Sequence, residues 1–448
     1  MKKKLLALVL SASMLATLAG CGGAAEAPAP AAEAPAAEAT EEAAPAADEA
    51  EEVVEADVAV ASDDAVANLI AATEGTVTLT VWASELQQDF TQGLIDEFTA
   101  QYPDIDFNIT LGAQSESECK DTVLADVEAA ADVYTFADDQ INDLVNAGAL
   151  QQVAASYTYD VAGENLAGAV NAAIVDGKLY AYPMTASNGY FMFYSKEYFT
   201  EDQVADLDTM MQVAADAGKK VSMDVANGWY LYSFFKGAGL DVALNDDGTN
   251  ICDWNAAGGT DVAQGILDVC ANPGFVSAKD EEFQTGIAEG TIIAGVSGTW
   301  DAEAAAAAWG DNYAAVKLPT YTVAGNQVQM SSYSGYKLIG VNPHSKFVGW
   351  AMLLSEYLTN ETSQVARFSA TQEGPANTKA AQADAVLANP AIAALAAQAE
   401  FATPQRVGGN FWTPAETLGN IFASGNPDGT DLQTLLDTAV DGITAPVE

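Results

Sequence analysis

The sequence predicts an α/β protein built as two lobes, and three observations lead there. At 448 residues the chain is longer than one hydrophobic core usually serves, so two folded units are the starting expectation. From Thr76 to Thr110 a strand, a helix and a second strand follow one another, the order that builds a largely parallel sheet. Near mid-chain, Asp176-Gly177-Lys178-Leu179-Tyr180-Ala181-Tyr182-Pro183 leads through Met184 to Gly189 into the aromatic run Tyr190-Phe191-Met192-Phe193-Tyr194. Asp-Gly supplies the positive φ angles of a tight hairpin, and the run is too short for a helix and suits a strand buried on both faces. The small, polar segment between them reads either as an ordinary loop or as a crossing between lobes.

The N-terminus has its own logic. Met1-Lys2-Lys3-Lys4, then an apolar run to Leu18, is a basic n-region followed by a short h-region, the pattern of an export signal over 1–20. Leu18-Ala19-Gly20-Cys21 resembles the bacterial lipobox, which implies lipidation at Cys21 and anchoring on the outer face of the cytoplasmic membrane. Residues 21–75 are dominated by Ala, Glu, Pro and Asp and contain no Lys, Arg or aromatic residue. Such a segment repels itself and buries too little surface to fold, so it reads as a disordered acidic tether, its last part from about Asp57 to Ala72 compatible with a loose helix.

Composition bounds the partners. With 63 acidic and 16 basic residues the formal net charge is −47, a field that repels nucleic acid and anionic lipid and disfavours anionic ligands while leaving neutral ones unaffected. Beyond the N-terminus no segment has the roughly 20 consecutive apolar residues of a membrane span. The cysteines are Cys21, Cys119, Cys252 and Cys270, without a Cys-x-x-Cys pair, and the one histidine is His344. Zinc sites and histidine-based nucleophilic catalysis are therefore close to excluded, and no cofactor or metal is expected. A Cys252–Cys270 disulfide is an option that spacing alone leaves open.

In chain order, Thr76 to Ser84 alternates as a strand with Val77, Leu79 and Val81 on one face, and Glu85 to Thr99 carries Phe90, Leu94, Ile95 and Phe98 at helical spacing. Asp106 to Thr110 is a second strand, and Ala131 to Phe136 a third that ends in Ala137-Asp138-Asp139-Gln140. Polar groups just past the carboxyl end of such a strand either cap the next helix or meet a ligand.

These elements, with Trp82, Asn146-Ala147-Gly148-Ala149-Leu150, Tyr194-Ser195-Lys196, Phe283 to Thr291, Ala294 to Trp300 and Gly408 to Glu416, resemble the maltose-binding proteins, the extracellular solute-binding proteins of ABC-type carbohydrate importers. The resemblance spans about 76–445. It implies a periplasmic-binding-protein-like fold with a ligand cleft between lobes, lobe one about 76–183 and 292–345, lobe two about 184–291 and much of 346–448. It further implies a monomer that carries a neutral sugar or oligosaccharide, maltodextrin-like, to permease subunits, touching the membrane only through its anchor.

By the same resemblance Trp229 and Tyr230, Trp300 and Trp412 are aromatic platforms, since an indole covers the C–H face of a pyranose while its rim hydroxyls stay free. Each has the alternative of a core position, and Trp82, inside an apolar strand, is read as core. Glu85, Asp138, Asp139, Gln140, Asn188 and Asn227 are the candidate partners of sugar hydroxyls. The family's Asp-Arg pair is Asp139-Gln140 here, and its last arginine is Glu416, so the guanidinium clamp is missing from those positions. Other readings are a binder of peptide or another small solute on the same architecture and a glycoside hydrolase. For the latter, adjacent carboxylates such as Asp138 and Asp139 are poorly placed to flank a scissile bond.

Overall fold

Segments that the sequence marks by alternation or by short apolar runs pair into two five-stranded sheets, one per lobe. The structure, a computed structural model, describes residues 59–60, 64–245 and 248–446; the expected signal, the lipidated Cys21 and most of the tether lie outside them. The strands of the two sheets are β1 Val77–Ala83, β2 Phe107–Ala113, β3 Val133–Ala137, β4 Tyr182–Thr185, β5 Phe191–Ser195, β6 Lys220–Ser222, β7 Phe275–Val276, β8 Ile292–Ser297, β9 Tyr313–Val316 and β10 Lys337–Val341.

Lobe one is ordered β2-β1-β3-β10-β4 and lobe two β7-β6-β8-β5-β9. In each sheet one strand opposes its neighbours: β10 is antiparallel to β3 and β4, and β5 is antiparallel to β8 and β9. Both reversed strands are the ones by which the chain enters from the other lobe. A chain that leaves one sheet at its cleft edge meets the next sheet at its cleft edge, so it must run opposite to strands that end there. The carboxyl ends of the remaining strands consequently face the junction, where ligands of open α/β sheets sit.

Local chemistry explains the elements. β1 buries Val77, Leu79, Val81 and Ala83 and exposes Thr78 and Thr80, as a half-buried strand should. The helix Gln88–Ala100 buries Leu94, Ile95 and Phe98, each contributing about 1.5–3 kcal/mol when fully removed from water; Glu85–Gln87 ahead of it is a 3-10 turn. Asp176 and Gly177, at φ 50° and 73°, turn the hairpin between Ile174–Val175 and Lys178–Leu179. β5 is buried on both faces: Met192 and Tyr194 enter the main core of lobe two, and Phe191 and Phe193 pack with Phe283, Ala305 and Ala394 behind the sheet.

The expected lobe boundaries shift. Residues 292–345, read as a return to lobe one, divide between lobes: β8 and β9 pair with β5 and β6 in lobe two, and only β10 returns. All six residues of β8 are buried, which requires a strand on each side, and β6 and β5 supply them. The helix Val348–Thr359 then covers lobe one with Trp350, Leu353 and Leu354 in its core, while Trp412–Ala423 and Leu432–Ile443 pack on lobe two. The tether's expected end at Gly75 also moves. A helix Ala65–Ala72 lays Val66, Leu69 and Ile70 on lobe one, and Trp350 Nε1 donates to Thr73 Oγ1 at 2.8 Å.

Cys119, Cys252 and Cys270 are free thiols, so the Cys252–Cys270 option is not taken. Among the described residues no helix is long and apolar enough to cross a membrane.

Candidate functional site

Three segments join the lobes around Thr185, and they are bonded to one another. Ala186 N donates to Gly374 O at 2.8 Å, Gly374 N to Ser187 Oγ at 2.8 Å, and Asn188 N to Gly335 O at 3.2 Å. Thr299 Oγ1 and Ser187 Oγ lie 3.2 Å apart, tying lobe two to the same knot. Asn188, one of the predicted hydroxyl partners, is thereby placed in the connector, half-buried beside Gly335.

Asp138 and Asp139 follow β3 at its cleft end. Asp138 is 1% exposed; its Oδ1 accepts from Tyr336 N at 2.9 Å and its Oδ2 from Arg406 Nη1 at 2.9 Å. Burial raises its pKa, and Arg406 and the Tyr336 amide oppose the rise. Asp139 has a buried Oδ1 without a hydrogen-bond partner. Burial and then the Asp138 charge push it up to about 7, against the pull of Gln405, Lys120 and Arg406.

On lobe two, Asn227 Oδ1 accepts from Trp229 N at 2.9 Å and starts the helix Gly228–Gly237, so that Asn227 acts as a cap. Trp229 is the half-buried residue of that first turn. Its ring lies edge-on to Tyr190 at 4.6 Å and 5.8 Å from Trp300, tilted by 35°, and its Nε1 donates to Gln405 Oε1 at 2.7 Å. Trp300, past the end of β8, folds back over Gly298, where a Cβ would lie 2.5 Å from its Cε3 and closer still to Cζ3 and Cη2. Trp300 Nε1 donates to Asp280 Oδ2 at 3.2 Å, and Tyr230 OH to Asp280 Oδ1 at 3.4 Å. Burial raises Asp280, and those two donors hold it back.

The floor between lobes is a buried polar cluster. Lys337 Nζ, at the start of β10, is 2.6 Å from Glu373 Oε1 and 3.7 Å from Glu116 Oε1, and lies 5.9 Å over the Trp300 ring. Gln87 donates to Glu373 and accepts from Arg367. Burial lowers the Lys337 pKa, but Glu116 and Glu373 more than offset it and hold the ammonium charged. Two carboxylates and two cations balance one another there, which is the condition for keeping charges out of water.

The predicted residues therefore separate. Asp138, Asp139, Trp229, Trp300 and Asn188 converge on the junction. Gln140 does not: its Oε1 accepts from Lys120 N at 2.9 Å and its Nε2 donates to Glu116 O and Ser117 O, which orders the helix Cys119–Ala125. Tyr230 is 3% exposed and belongs to the lobe-two core, reaching Trp229 edge-on at 5.3 Å. Trp412 is half-buried against the lobe-two core, edge-on to Phe411 at 5.0 Å. Glu85 is exposed in its turn after β1, and Trp82 is half-buried against the lobe-one core. Sequence reasoning missed Gln405, Arg406, Asp280 and Lys337. A signal existed for one of them, since Arg367 and Arg406 are the chain's two arginines and both lie at this junction.

With this geometry in view, residues 93–394 match the family model of the bacterial extracellular solute-binding protein. The chain belongs to that family. A structure solved with acarbose is 30% identical, covers 83% of this chain and 99% of its own, and superposes with a TM-score of 0.72. The maltodextrin-binding protein MalE1 from L. casei BL23 is 24% identical over 83% of this chain and 100% of its own, TM-score 0.67. The GacH receptor of Streptomyces glaucescens GLA.O, solved free and with acarbose, is 18% identical over 82% and 97%, TM-score 0.71. The last two show the fold alone. No curated protein matches the chain. Membership makes this an extracellular solute-binding protein.

Proposed function

We propose that this chain is a membrane-anchored extracytoplasmic binding protein that captures a neutral, maltodextrin-like sugar and hands it to the permease subunits of an ABC importer. The observation that carries the reading is the Trp229–Trp300 pair, two half-buried indoles 5.8 Å apart whose rim N–H groups are engaged by Gln405 and Asp280. Indoles held this way offer ring surface to the C–H faces of sugar units, and the acids beside them accept hydrogen bonds from hydroxyls. Acarbose and maltodextrin in the relatives support the same class. A ligand that touches both lobes favours the closed arrangement by its differential affinity, and closure is the signal a permease reads.

Anchoring at Cys21 completes the proposal, the acidic tether leaving the folded part free to search for its permease. Titration calorimetry of the purified chain with maltotetraose and with acarbose tests recognition. Micromolar or tighter binding of either is expected, and binding of neither sinks the sugar reading. Replacing Cys21 with Ser should release the protein or leave it uncleaved; a cleaved yet anchored Cys21→Ser protein would contradict the anchor.

A further inference from the structure

Residues 65–72, Ala-Val-Ala-Asn-Leu-Ile-Ala-Ala, carry no charge, although they join an acidic N-terminal stretch to an acidic body and the whole chain has a formal net charge of −47. Like charges repel, so such a body pushes an acidic leader away, and an apolar contact is what can hold it in place. That contact exists. Val66, Leu69 and Ile70, spaced as i, i+3 and i+4, form one face of the helix Ala65–Ala72 and pack against the lobe-one core. The receiving surface is notched for them: at Gly349, in the first turn of the helix Val348–Thr359, a Cβ would lie 2.9 Å from Leu69 Cδ1. One residue on, the indole of Trp350 is 1% exposed and donates its N–H to Thr73 Oγ1 at 2.8 Å, and that hydroxyl donates in turn to Leu69 O at 2.7 Å. A second hold is the strand Ala155–Ser156, with which Ala59 and Val60 pair in parallel. The same helix sets this strand: Glu356 is fully buried and accepts from Tyr157 N and Thr158 N, each at 2.7 Å, and from Thr158 Oγ1 at 2.8 Å. Gly75, at φ 73°, then turns the chain into β1. The docked segment precedes residues 93–394, the span of the family match, which therefore assigns it no role.

We propose that the face of lobe one formed by the helix Val348–Thr359 and the strand Ala155–Ser156 is a docking surface whose partner is this chain's own N-terminal segment, and that residues 59–60 and 64–73 are a strap that fixes where everything upstream leaves the body. The hold is apolar and hydrogen-bonded, so salt leaves it in place while screening the repulsion around it. The strap gives the strand edge at 155–156 a partner and a buried indole N–H its acceptor, each a liability when left bare. A pull on the N-terminus is then borne by lobe one, and lobe two, joined to it through the crossing segments, is the part left free to move. Where that N-terminus is the lipid anchor proposed above, lobe one is the membrane-held lobe; this consequence rests on the anchor, and the strap itself does not.

Limited digestion of the purified full chain with a glutamate-specific protease, read by mass spectrometry, tests the strap without membrane or sugar, so its failure is distinct from failure of either reading above. Cleavage beside a docked segment waits for local unfolding, whereas an undocked segment is cut directly. The parent should be cut after Glu55 about tenfold or more faster than after Glu74, leaving a stable product that begins at Ala56. Leu69→Asp puts a charge into the apolar seat, and Gly349→Leu fills the notch from the other side. Each should speed cleavage after Glu74 about tenfold or more, while Glu289 and Glu356 in the body stay uncut and the far-ultraviolet circular dichroism stays unchanged. If a variant is cut throughout the body, its fold has been lost, and the parent's own ratio of the two cleavages decides the matter. A parent cut after Glu74 as fast as after Glu55 overturns the strap. So do Leu69→Asp and Gly349→Leu proteins that keep an intact body and are cut after Glu74 at the parent's rate.

Discussion

Gly298→Ala tests the aromatic platform without removing any aromatic residue. Gly298 is extended, at φ −110° and ψ −174°, a conformation alanine adopts freely, so the backbone has no reason to change. The new methyl would lie 2.5 Å from Trp300 Cε3 and nearer to Cζ3 and Cη2. Carbon atoms settle about 3.5–4.0 Å apart, so the indole must retreat by about 1 Å or more. Such a retreat breaks the 3.2 Å bond from Trp300 Nε1 to Asp280 and dissolves the 5.8 Å contact with Trp229. If this pair is a central anchor, binding falls by about 2–4 kcal/mol, roughly 30- to 1000-fold in Kd. Calorimetry with maltotetraose measures the loss, and near-ultraviolet circular dichroism reports the displaced indole while the far-ultraviolet spectrum stays unchanged. A Gly298→Ala protein with an altered near-ultraviolet spectrum and unaltered affinity would refute the platform.

Other outcomes follow from the same geometry. Asp139 sits at about 7 in the folded chain against 3.8 for an ordinary aspartate, so the folded state holds its proton more tightly than the unfolded one. Its contribution is therefore most favourable below about pH 4 and is lost as pH rises through about 7. The melting temperature of the parent relative to Asp139→Asn should fall across that window, and parallel curves would contradict the assignment. Lys337→Met leaves Glu373 and Glu116 buried with Arg367 as their remaining cation and should cost about 3–5 kcal/mol in urea unfolding, partly restored by adding Glu373→Gln; additive effects would show the charges to be uncoupled. Gly93→Ala, in the exposed face of the helix Gln88–Ala100 with nothing within 4 Å of the new methyl, should stabilise by about 0.5–1 kcal/mol, read as a higher urea midpoint.

The sequence by itself determined what depends on near neighbours. Alternation placed β1, turn chemistry placed the hairpin at Asp176 and Gly177, and an aromatic run too short for a helix placed β5 with both faces buried. Each follows from steric and hydrophobic rules acting within a few residues. The pattern of motifs likewise carried the family, because order along a chain survives changes of individual side chains.

Tertiary structure alone decided what depends on distant partners. Asn227 and Gln140 are polar residues of the right kind, yet one caps a helix and the other orders a loop, because backbone groups in need of partners lie within reach. Tyr230 and Trp229 are adjacent in sequence, but successive side chains on a helix point about 100° apart, so one enters the core and the other borders the junction. β8 belongs to lobe two because only there do strands exist to cover both its edges, a fact of pairing that no local pattern encodes. Arg406 meets Asp138 across 268 residues of chain. A salt bridge of that span exists only once two sheets, three crossings and a short strand have set both ends in place, and for that reason it was legible only in three dimensions.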